Sequence, residues 1–486
     1  MVIKMGVLSS LEPNGVFKYF EELCQIPHGS GNCKQISDYL VQFAKNHNLE
    51  WQQDEMFNVI MIKEASVGYE DVEPVILQGH MDMVAVKEPG CDIDLEKDPL
   101  RLRVEGDYIS ADGTTLGGDD GIAVAYALAI LADDSMKHPR LEVIITTEEE
   151  VGMEGATALN PSICKGRKLL NIDSEEEGIL LTSCAGGCRA HTEVPVERED
   201  ASGVLYEIRF AGMLGGHSGT EIDKEHGNAI KFIGRTLKML RQDIDYWVYE
   251  LAGGDKDNAI ACDSYAQIVI NDADSNKLED TFKQIQKVFQ SEYATKEPDM
   301  EITLQKKEKG TYKALTRKDS AKIADYLFVI PNGIQNMSVD IKGLVETSLN
   351  VGIMRLSEDK LATDSAIRSS ITSAKEALKE QVATICGLFG GEISYHGEYP
   401  GWQFNPDSEL RQNMIALYEE MFGETPKVEA LHAGLECGIM CEKLPGLDCV
   451  SFGPNNYDIH TPKERLSISS TEKIWKLLVE FLKRCK

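Results

Sequence analysis

The chain has 486 residues, of which 42% are hydrophobic and 27% are charged. Asp and Glu total 80 against 50 Lys and Arg, so the formal net charge is −30. Nucleic acids and anionic membrane surfaces are therefore not expected as partners, because proteins bind both through basic patches that displace counterions. The longest uninterrupted apolar stretch, residues 122–132, is much shorter than the roughly 18 residues that a membrane span needs.

Two features predict a cytoplasmic protein. Residues 1–17 contain no sustained apolar segment and no small-residue cleavage site, so a signal peptide is not expected. The 12 cysteines are scattered and form no CxxC motif, which is typical of reduced thiols in the cytoplasm.

The predicted elements begin with helices at 16–26 and 34–47. Short apolar strands at 75–77, 141–145 and 169–172 follow, with a helix at 121–131 between the first two. Near the C-terminus, residues 449–452 predict a further strand and residues 471–484 an amphipathic helix. Such alternation indicates an α/β domain with a mainly parallel central sheet flanked by helices.

Residues 187–399 have a different pattern. Their strands alternate apolar and polar residues, as at 206–210 and 267–270, and their helices carry one charged face. This pattern favours antiparallel sheets with one solvated side. Two similar passages, 264–270 before one helix and 348–354 before the next, suggest a repeated β-α module. We therefore predict one α/β domain formed by residues 1–186 and 400–486, which would be the catalytic domain if the molecule is an enzyme, and an inserted α+β domain at 187–399.

Residues that bind metals or move protons follow several predicted strands. The first strand leads to His80 and Asp82 in the sequence GHMD, and a later Gly-Gly-Asp-Asp-Gly segment carries Asp119 and Asp120 just before a helix. Each motif alone has an ordinary explanation: a surface histidine near an acid, or an aspartate that caps the helix between turn glycines.

Three further sites repeat this arrangement. Glu148, Glu149 and Glu150 follow one apolar strand, Asp173 follows another, and His460 lies in a loop after the last predicted strand. Ligands bind at the carboxyl ends of strands in open α/β sheets, so we expect these groups to converge. Imidazoles and carboxylates together suit divalent ions such as Zn²⁺, Mn²⁺ or Co²⁺, and an acid that binds no metal could act as a general base.

Seven motifs together carry a family resemblance. In order they are GHMDMV, GGDDGIA, TTEEEVG, NIDSEE, GGHSG, HAGLECG and the late His460. The chain resembles the metallopeptidase clan of aminoacylase, glutamate carboxypeptidase and bacterial tripeptidase, and within it the aminoacyl-histidine dipeptidase branch, also called cytosolic non-specific or Xaa-His dipeptidases. The likeness extends from about residue 17 to the C-terminal helix.

The resemblance implies a zinc-peptidase-like fold and two co-catalytic metal ions, most often Zn²⁺, with Co²⁺ or Mn²⁺ as alternatives. It further implies how the five ligands are shared: His80 and Asp173 hold one ion, Glu150 and His460 hold the other, and Asp119 bridges them. Asp119 is preferred to Asp120 as the bridge, although the Lys that follows this position in relatives is missing here.

Catalytic and substrate-binding residues also come from the resemblance. The Glu-Glu-x-Gly pattern of the family selects Glu149 as general base and leaves Glu148 outside the pair, while Asp82 orients the imidazole of His80. In the inserted domain, a lid that also dimerises in relatives, His217 polarises the scissile carbonyl from its own or a neighbouring subunit. The implied substrate-binding residues are Asn258, Arg368 and Gly434.

The implied function is hydrolysis of the amide bond of dipeptides, Xaa-His among them, by a homodimer. A tripeptidase or an N-acyl amino acid deacylase of the same clan has the same metal centre and is the alternative. An inactive metal-binding interaction protein is the alternative from another class. The intact set of ligands and Glu149 favours an enzyme. His432 is expected to be structural or to lie behind the ligands.

Overall fold

The computed structural model describes residues 6–486. Residues 1–5, which belong to the N-terminal segment where no signal peptide is expected, lie outside the described residues. The chain forms two compact units. Unit 1 comprises the residues up to Ser183, Phe404–Ala430 and Leu435–Lys486, and unit 2 comprises Cys184–Gln403 and Leu431–Gly434. Each unit has its own hydrophobic core.

The unit boundaries differ slightly from the predicted domain boundaries at 186/187 and 399/400. The main difference is the short segment Leu431–Gly434, which belongs to unit 2 although the prediction placed all of 400–486 in the catalytic domain. Four residues are too short to carry a pattern of their own, so the sequence contains no signal for this return.

The elements of the first part of the chain alternate between helices and short strands. They are α1 (Asn14–Leu23), α2 (Lys34–Asn46), β1 (Glu50–Gln53), β2 (Val59–Lys63), β3 (Val75–His80), β4 (Leu102–Glu105), β5 (Tyr108–Ala111), α3 (Gly118–Ala132), β6 (Leu141–Thr146), α4 (Glu154–Ala158), β7 (Lys168–Asn171) and β8 (Ile179–Cys184).

The middle part has longer strands. Its elements are β9 (Gly186–Pro195), β10 (Arg198–Ala211), α5 (Ala229–Leu240), β11 (Tyr246–Gly253), β12 (Ser264–Ile270), α6 (Ser275–Tyr293), β13 (Glu301–Leu315), α7 (Arg317–Val329), β14 (Gly333–Met337), β15 (Val345–Leu356), β16 (Lys360–Ser369), α8 (Thr372–Leu388) and β17 (Glu392–Tyr399).

The last part returns to short strands between helices. Its elements are α9 (Glu409–Phe422), β18 (Lys427–Leu431), α10 (Glu436–Lys443), β19 (Asp448–Ser451), β20 (Asn456–Tyr457), β21 (Arg465–Ser467) and α11 (Ile468–Arg484).

The main sheet of unit 1 confirms the predicted fold class. Its strand order is β1-β2-β6-β3-β7-β19-β8-β18, and the four central strands β6, β3, β7 and β19 run parallel. All six residues of both β3 and β6 are buried, as expected for strands covered on both faces. Helix α3 packs on β3, and α9 and α10 pack on β19. A separate sheet, β20-β21-β5-β4, lies in the same unit.

Unit 2 contains a nine-stranded sheet made of two similar halves. Its main order is β13-β10-β12-β11-β15-β16-β9-β17, with β14 added beside β15. One half is β10-α5-β11-β12-α6-β13 and the other is β9-α7-β15-β16-α8-β17. In each half the fourth strand lies outside the first, followed by the third and the second, which is a ferredoxin-like β-α-β-β-α-β arrangement. The first half is inserted into the second, between β9 and α7.

The repeat is therefore present, but the two predicted passages are not equivalent strands of it. One is the third strand of its half and the other is the second strand of its half. Residues 264–270 form β12 directly before α6, whereas 348–354 lie in β15 and the strand directly before α8 is β16. Strands β15 and β16 are neighbours in one hairpin, and each contains a run of at least five consecutive buried residues, so their apolar patterns do not show which of them is equivalent to β12. Among residues 6–486, no helix is long and apolar enough to cross a membrane.

Candidate active site

The predicted metal ligands of unit 1 lie at one edge of its main sheet. His80 is the last residue of β3, Glu150 follows β6 and Asp173 follows β7, and these three strands are parallel neighbours. Asp119 lies in the first turn of α3, and His460 lies in the loop between β20 and β21. Parallel strands end on the same side of a sheet, so the chain order alone brings three of the five together.

The side chains of these five residues meet. Nε2 of His80 is 3.1 Å from Oδ1 of Asp119 and 3.4 Å from Oδ1 of Asp173. Nε2 of His460 is 3.2 Å from the other oxygen of Asp119, Oδ2, and 3.0 Å from the Glu150 carboxylate. Asp119 therefore lies between the two imidazoles and presents one oxygen to each.

The donor atoms fit two divalent ions. Each Nε2 carries at most one proton but faces two carboxylates, so hydrogen bonding alone cannot satisfy both. Donor atoms around a tetrahedral zinc with bonds of about 2.0–2.1 Å are about 3.3 Å apart, close to the separations found here. His80, Asp119 and Glu150 each offer a ligand atom, all within 4.8 Å of one another.

The electrostatic field of the site is strongly negative. Hydrogen bonds to Asp119 and then Glu150 raise the pKa of His460 to about 10. Burial raises the pKa of Asp173 to about 6, despite the opposing effect of His80. A field that favours a proton on imidazole also favours a cation, and a bound metal ion would reverse these shifts.

Asp119 and Asp120 have different environments. Burial pushes the pKa of Asp119 up, but hydrogen bonds with His460 and His80 outweigh it and hold the pKa below its ordinary value. Burial raises the pKa of Asp120 well above its ordinary value, and its carboxylate accepts the backbone N–H of His80 at 3.3 Å. Asp120, His80 and Asp173 also form a cluster with ligand atoms within 4.8 Å. Only Asp119 faces both imidazoles, which favours it as the bridge.

Asp82 positions both the imidazole of His80 and the acidic segment. Nδ1 of His80 is 2.9 Å from the backbone oxygen of Asp82 and 3.5 Å from its carboxylate, so the carbonyl is the nearer partner. The Asp82 carboxylate accepts the backbone N–H groups of Glu149 at 3.1 Å and Glu150 at 3.4 Å, as well as the hydroxyl of Ser30. Asp82 thus holds the loop that carries the predicted base.

His217, Asn258 and Arg368, which were predicted in the inserted domain, belong to unit 2, and so does Gly434, which was predicted in the domain formed by 1–186 and 400–486. The backbone N–H groups of Gly219 and Thr220 donate to Nδ1 of His217 at 3.3 and 3.2 Å. Neutral His217 therefore carries its proton on Nε2. Burial, then Arg368 and Arg189, lower the pKa of this imidazole.

Arg368 is a buried guanidinium that is only partly paired. Its side chain donates to the hydroxyl of Tyr399 at 2.9 Å, and its Nε has no hydrogen-bond partner among the described residues. Gly187 lies between the two on the sheet, and a Cβ there would collide with Tyr399. The backbone oxygen of Asn258 accepts the N–H of Ser218 at 2.9 Å, which fixes the segment next to His217. Gly434 is half-buried.

His432 also belongs to unit 2, and its side chain is buried. Its Nε2 is 2.8 Å from the hydroxyl of Ser348, and burial followed by Arg368 lowers its pKa to about 3.

The sequence patterns did not identify several buried polar residues in and beside the strands that carry the predicted ligands. The buried carboxylate of Glu436 accepts hydrogen bonds from Gln78 at 2.5 Å and Thr146 at 2.6 Å, and Asn171 donates to Gln78 at 2.6 Å. Gln78 and Asn171 each precede a predicted ligand by two residues in an otherwise apolar strand. A buried polar residue in such a strand is the signal that could have identified them. Glu464 was missed as well, although it follows His460 by only four residues.

The chain is similar to several known proteins over nearly its whole length. Residues 76–484 match the model of Peptidase family M20/M25/M40. The chain is 35% identical over 481 residues to the cytosol non-specific dipeptidase of Escherichia coli strain K12, covering 99% of both chains. The crystal structure of aminoacylhistidine dipeptidase from Vibrio alginolyticus superposes with a TM-score of 0.93 at 34% identity, over 98% of this chain and 97% of that one. Aminopeptidase PepT from Bacillus cereus, at 16% identity, TM-score 0.57 and 98% and 99% coverage, shares the fold.

Proposed function

Because the chain belongs to Peptidase family M20/M25/M40, we propose that it is a dinuclear metal-dependent dipeptidase that cleaves Xaa-His and other dipeptides. The relatives named as dipeptidases cover nearly the whole chain at 34–35% identity. The observation that carries the proposal is the position of Asp119, with one carboxylate oxygen facing each of two imidazoles. An aspartate placed in this way is suited to two neighbouring cations.

The contacts in unit 1 support the proposed roles of its residues. His80, Asp173 and Asp119 would hold one ion, and Glu150, His460 and Asp119 the other. When bound, such ions lower the pKa of water and polarise a carbonyl group. Glu149 accepts the proton of the attacking water at its carboxylate and returns it to the leaving amine nitrogen. Burial, reinforced by the negative charge of Asp173, raises the pKa of Glu149 well above its ordinary value, which suits a group that must hold a proton during the reaction.

The proposed roles in unit 2 concern the substrate. His217 polarises the scissile carbonyl by donating a hydrogen bond from its Nε2–H to the carbonyl oxygen, because its Nδ1 is already occupied by backbone donors. Arg368 pairs with the free carboxylate of the dipeptide, since its guanidinium presents a planar set of donors. Asn258 and Gly434 contact the peptide backbone. We propose Zn²⁺ as the metal, because imidazole and carboxylate ligands suit it, a homodimer as the assembly, and the cytosol as the compartment, as the name of the E. coli relative states.

A substrate panel tests the proposal. Metal-free protein, prepared with a chelator, is reconstituted with Zn²⁺, Co²⁺ or Mn²⁺ and assayed against dipeptides, tripeptides and N-acetyl amino acids. Turnover of free dipeptides that requires metal is the expected result. Preference for tripeptides or N-acetyl amino acids would indicate the alternative activities of the clan. No turnover with two ions bound would indicate a metal-binding protein without catalysis, and size-exclusion chromatography with light scattering tests the dimer.

A further inference from the structure

Glu464 is a buried acid outside the predicted ligand set. Its side chain is in unit 1 and only 2% exposed. Oε2 accepts the backbone N–H groups of Leu116 at 2.7 Å and Gly117 at 3.0 Å. Oε1 accepts those of Gly118 at 2.8 Å and Asp119 at 3.3 Å. One carboxylate thus collects four consecutive backbone donors.

These donors belong to the segment that presents the shared ligand. The four residues end at Asp119, which faces both His80 and His460. Gly117 has a left-handed backbone with φ of 70°, so the chain turns sharply here before α3 begins. The N–H groups of such a turn have no partner within the helix, and a carboxylate is the group best suited to accept all of them.

Glu464 also belongs to the segment that presents the second imidazole. His460 and Glu464 both lie in the loop between β20 and β21. Asn456, in β20 just before that loop, donates to Oε1 of Glu464 at 3.2 Å. The Glu464 side chain therefore contacts the segment that carries Asp119. It also joins the end of the His460 loop, where Glu464 lies, to Asn456 on the other side of that loop.

We propose that Glu464 is a positioning residue for the metal pair, which fixes the distance between Asp119 and His460 by joining the two chain segments that carry them. The proposal rests on the dinuclear site of the proposed function. It requires a carboxylate, because an amide offers one acceptor oxygen and places an N–H₂ group against backbone donors. Groups behind the ligands typically change metal affinity by about 10–100-fold when they are lost.

The test compares Glu464→Gln with a matched control, Glu142→Gln. Glu142 is another buried carboxylate of unit 1 and accepts backbone N–H groups of Lys165 and Gly166 at 2.8–2.9 Å. It lies near the start of β6, whereas the ligands follow strand ends. The metal-free proteins are titrated with Co²⁺ against a chromophoric chelator, and the visible absorption of bound Co²⁺ is recorded.

Glu464→Gln is expected to bind Co²⁺ about 10–100-fold more weakly than the wild type, with an altered absorption spectrum. Glu142→Gln is expected to bind within about twofold of the wild type and to keep its spectrum, because its carboxylate touches no ligand segment. Wild-type affinity and spectrum in Glu464→Gln would overturn the proposal. Equal losses in both variants would overturn it too, since they would indicate general destabilisation.

Gly118→Ala provides a second test if Glu464→Gln does not fold. A Cβ at Gly118 would lie 3.1 Å from Oε1 of Glu464 and 2.9 Å from Nδ2 of Asn456, so it displaces the carboxylate without changing any charge. Weaker Co²⁺ binding is expected here, and unchanged binding would contradict the proposal. Wild-type protein that binds two ions but hydrolyses no dipeptide would refute only the proposed function, whereas failure to bind any metal would refute both.

Discussion

Glu148, Glu149 and Glu150 are adjacent in the sequence, yet each carboxylate has its own environment. Glu148 has a positive φ of 56°, and its carboxylate accepts the N–H of Gly31 at 2.9 Å. Glu150 lies 3.0 Å from His460, and the pKa of Glu149 is raised by burial. The sequence predicts that an acidic cluster follows β6, but the backbone turn at Glu148 assigns the three side chains to different partners.

Replacing Glu149 should separate catalysis from metal binding. We expect Glu149→Gln to lower kcat by about 10²–10⁴-fold, because the proton of the attacking water loses its acceptor. The metal content should stay at the wild-type value, as measured by atomic absorption. Glu148→Gln is the control and should keep most of the activity. A Glu149 variant with wild-type kcat would refute its role as the base.

The pKa of His217 should depend on Arg368. Burial is the main cause of its low value and Arg368 the next, so we expect Arg368→Met to raise the pKa of His217 towards the ordinary value of 6.5. A pKa below 6.5 means that the imidazole is mostly neutral at pH 6.5 and above, with its proton on Nε2. NMR titration of protein labelled at the histidine ring carbons measures both values. A wild-type His217 that titrates above 6.5 would contradict the prediction.

Helix α7 ends at an unusual cap. The ammonium group of Lys231, on α5, donates to the backbone oxygens of Leu327 at 2.6 Å, Phe328 at 3.1 Å and Ile330 at 2.5 Å. These carbonyls lie at or just beyond the end of α7, where helical partners are missing and a positive charge is favourable. Lys231 therefore joins α5, which belongs to one half of unit 2, to the end of α7, which belongs to the other half.

Removing this cap should destabilise unit 2. Burial lowers the pKa of Lys231 to about 7, so the side chain is an ammonium below that pH. There we expect Lys231→Met to lower the free energy of unfolding by about 2 kcal/mol, because three carbonyl oxygens lose a charged donor. The matched control is Lys238→Met on the same helix, where a part-exposed ion pair with Asp325 is lost and about 0–1 kcal/mol is expected. Thermal unfolding followed by circular dichroism compares them, and equal midpoints would contradict the capping role.

The predictability of each element depends on whether its signal is local. Apolar periodicity identified β3, β6, β7 and β19, and the residues after three of these strands came together as their chain order implies. The roles of Glu464, Glu436 and Tyr399 arise from contacts with residues distant in the chain, such as Leu116 or Arg368, for which no spacing rule exists. The nested order of the unit 2 halves is missed for the same reason, because strand pairing is non-local.

The two units should respond differently to metal. All five proposed ligands belong to unit 1. Removing the ions leaves their carboxylates close together and unneutralised, and a ligand at about 1,000 times its Kd contributes roughly 4 kcal/mol to stability. We expect a chelator to lower the unfolding temperature of unit 1 alone.

Differential scanning calorimetry with and without a chelator measures this effect. The expected outcome is a thermogram in which one transition moves to lower temperature and a second stays in place, and added Zn²⁺ should restore the first. A variant in unit 2, Lys231→Met, identifies the second transition. Equal movement of both transitions would contradict the assignment of the metal centre to unit 1.

The insertion of one half of the unit 2 sheet into the other has a consequence for biosynthesis. Strand β9 pairs with β16 and β17, and the ribosome makes β16 about 165 residues after β9. At about 5–20 residues per second, β9 waits on the order of 10–30 s for its neighbours, while β10 to β13 can already assemble. During translation the nascent chain thus exposes an unpaired hydrogen-bonding edge, a vulnerable stage at which ribosome-associated chaperones would protect it.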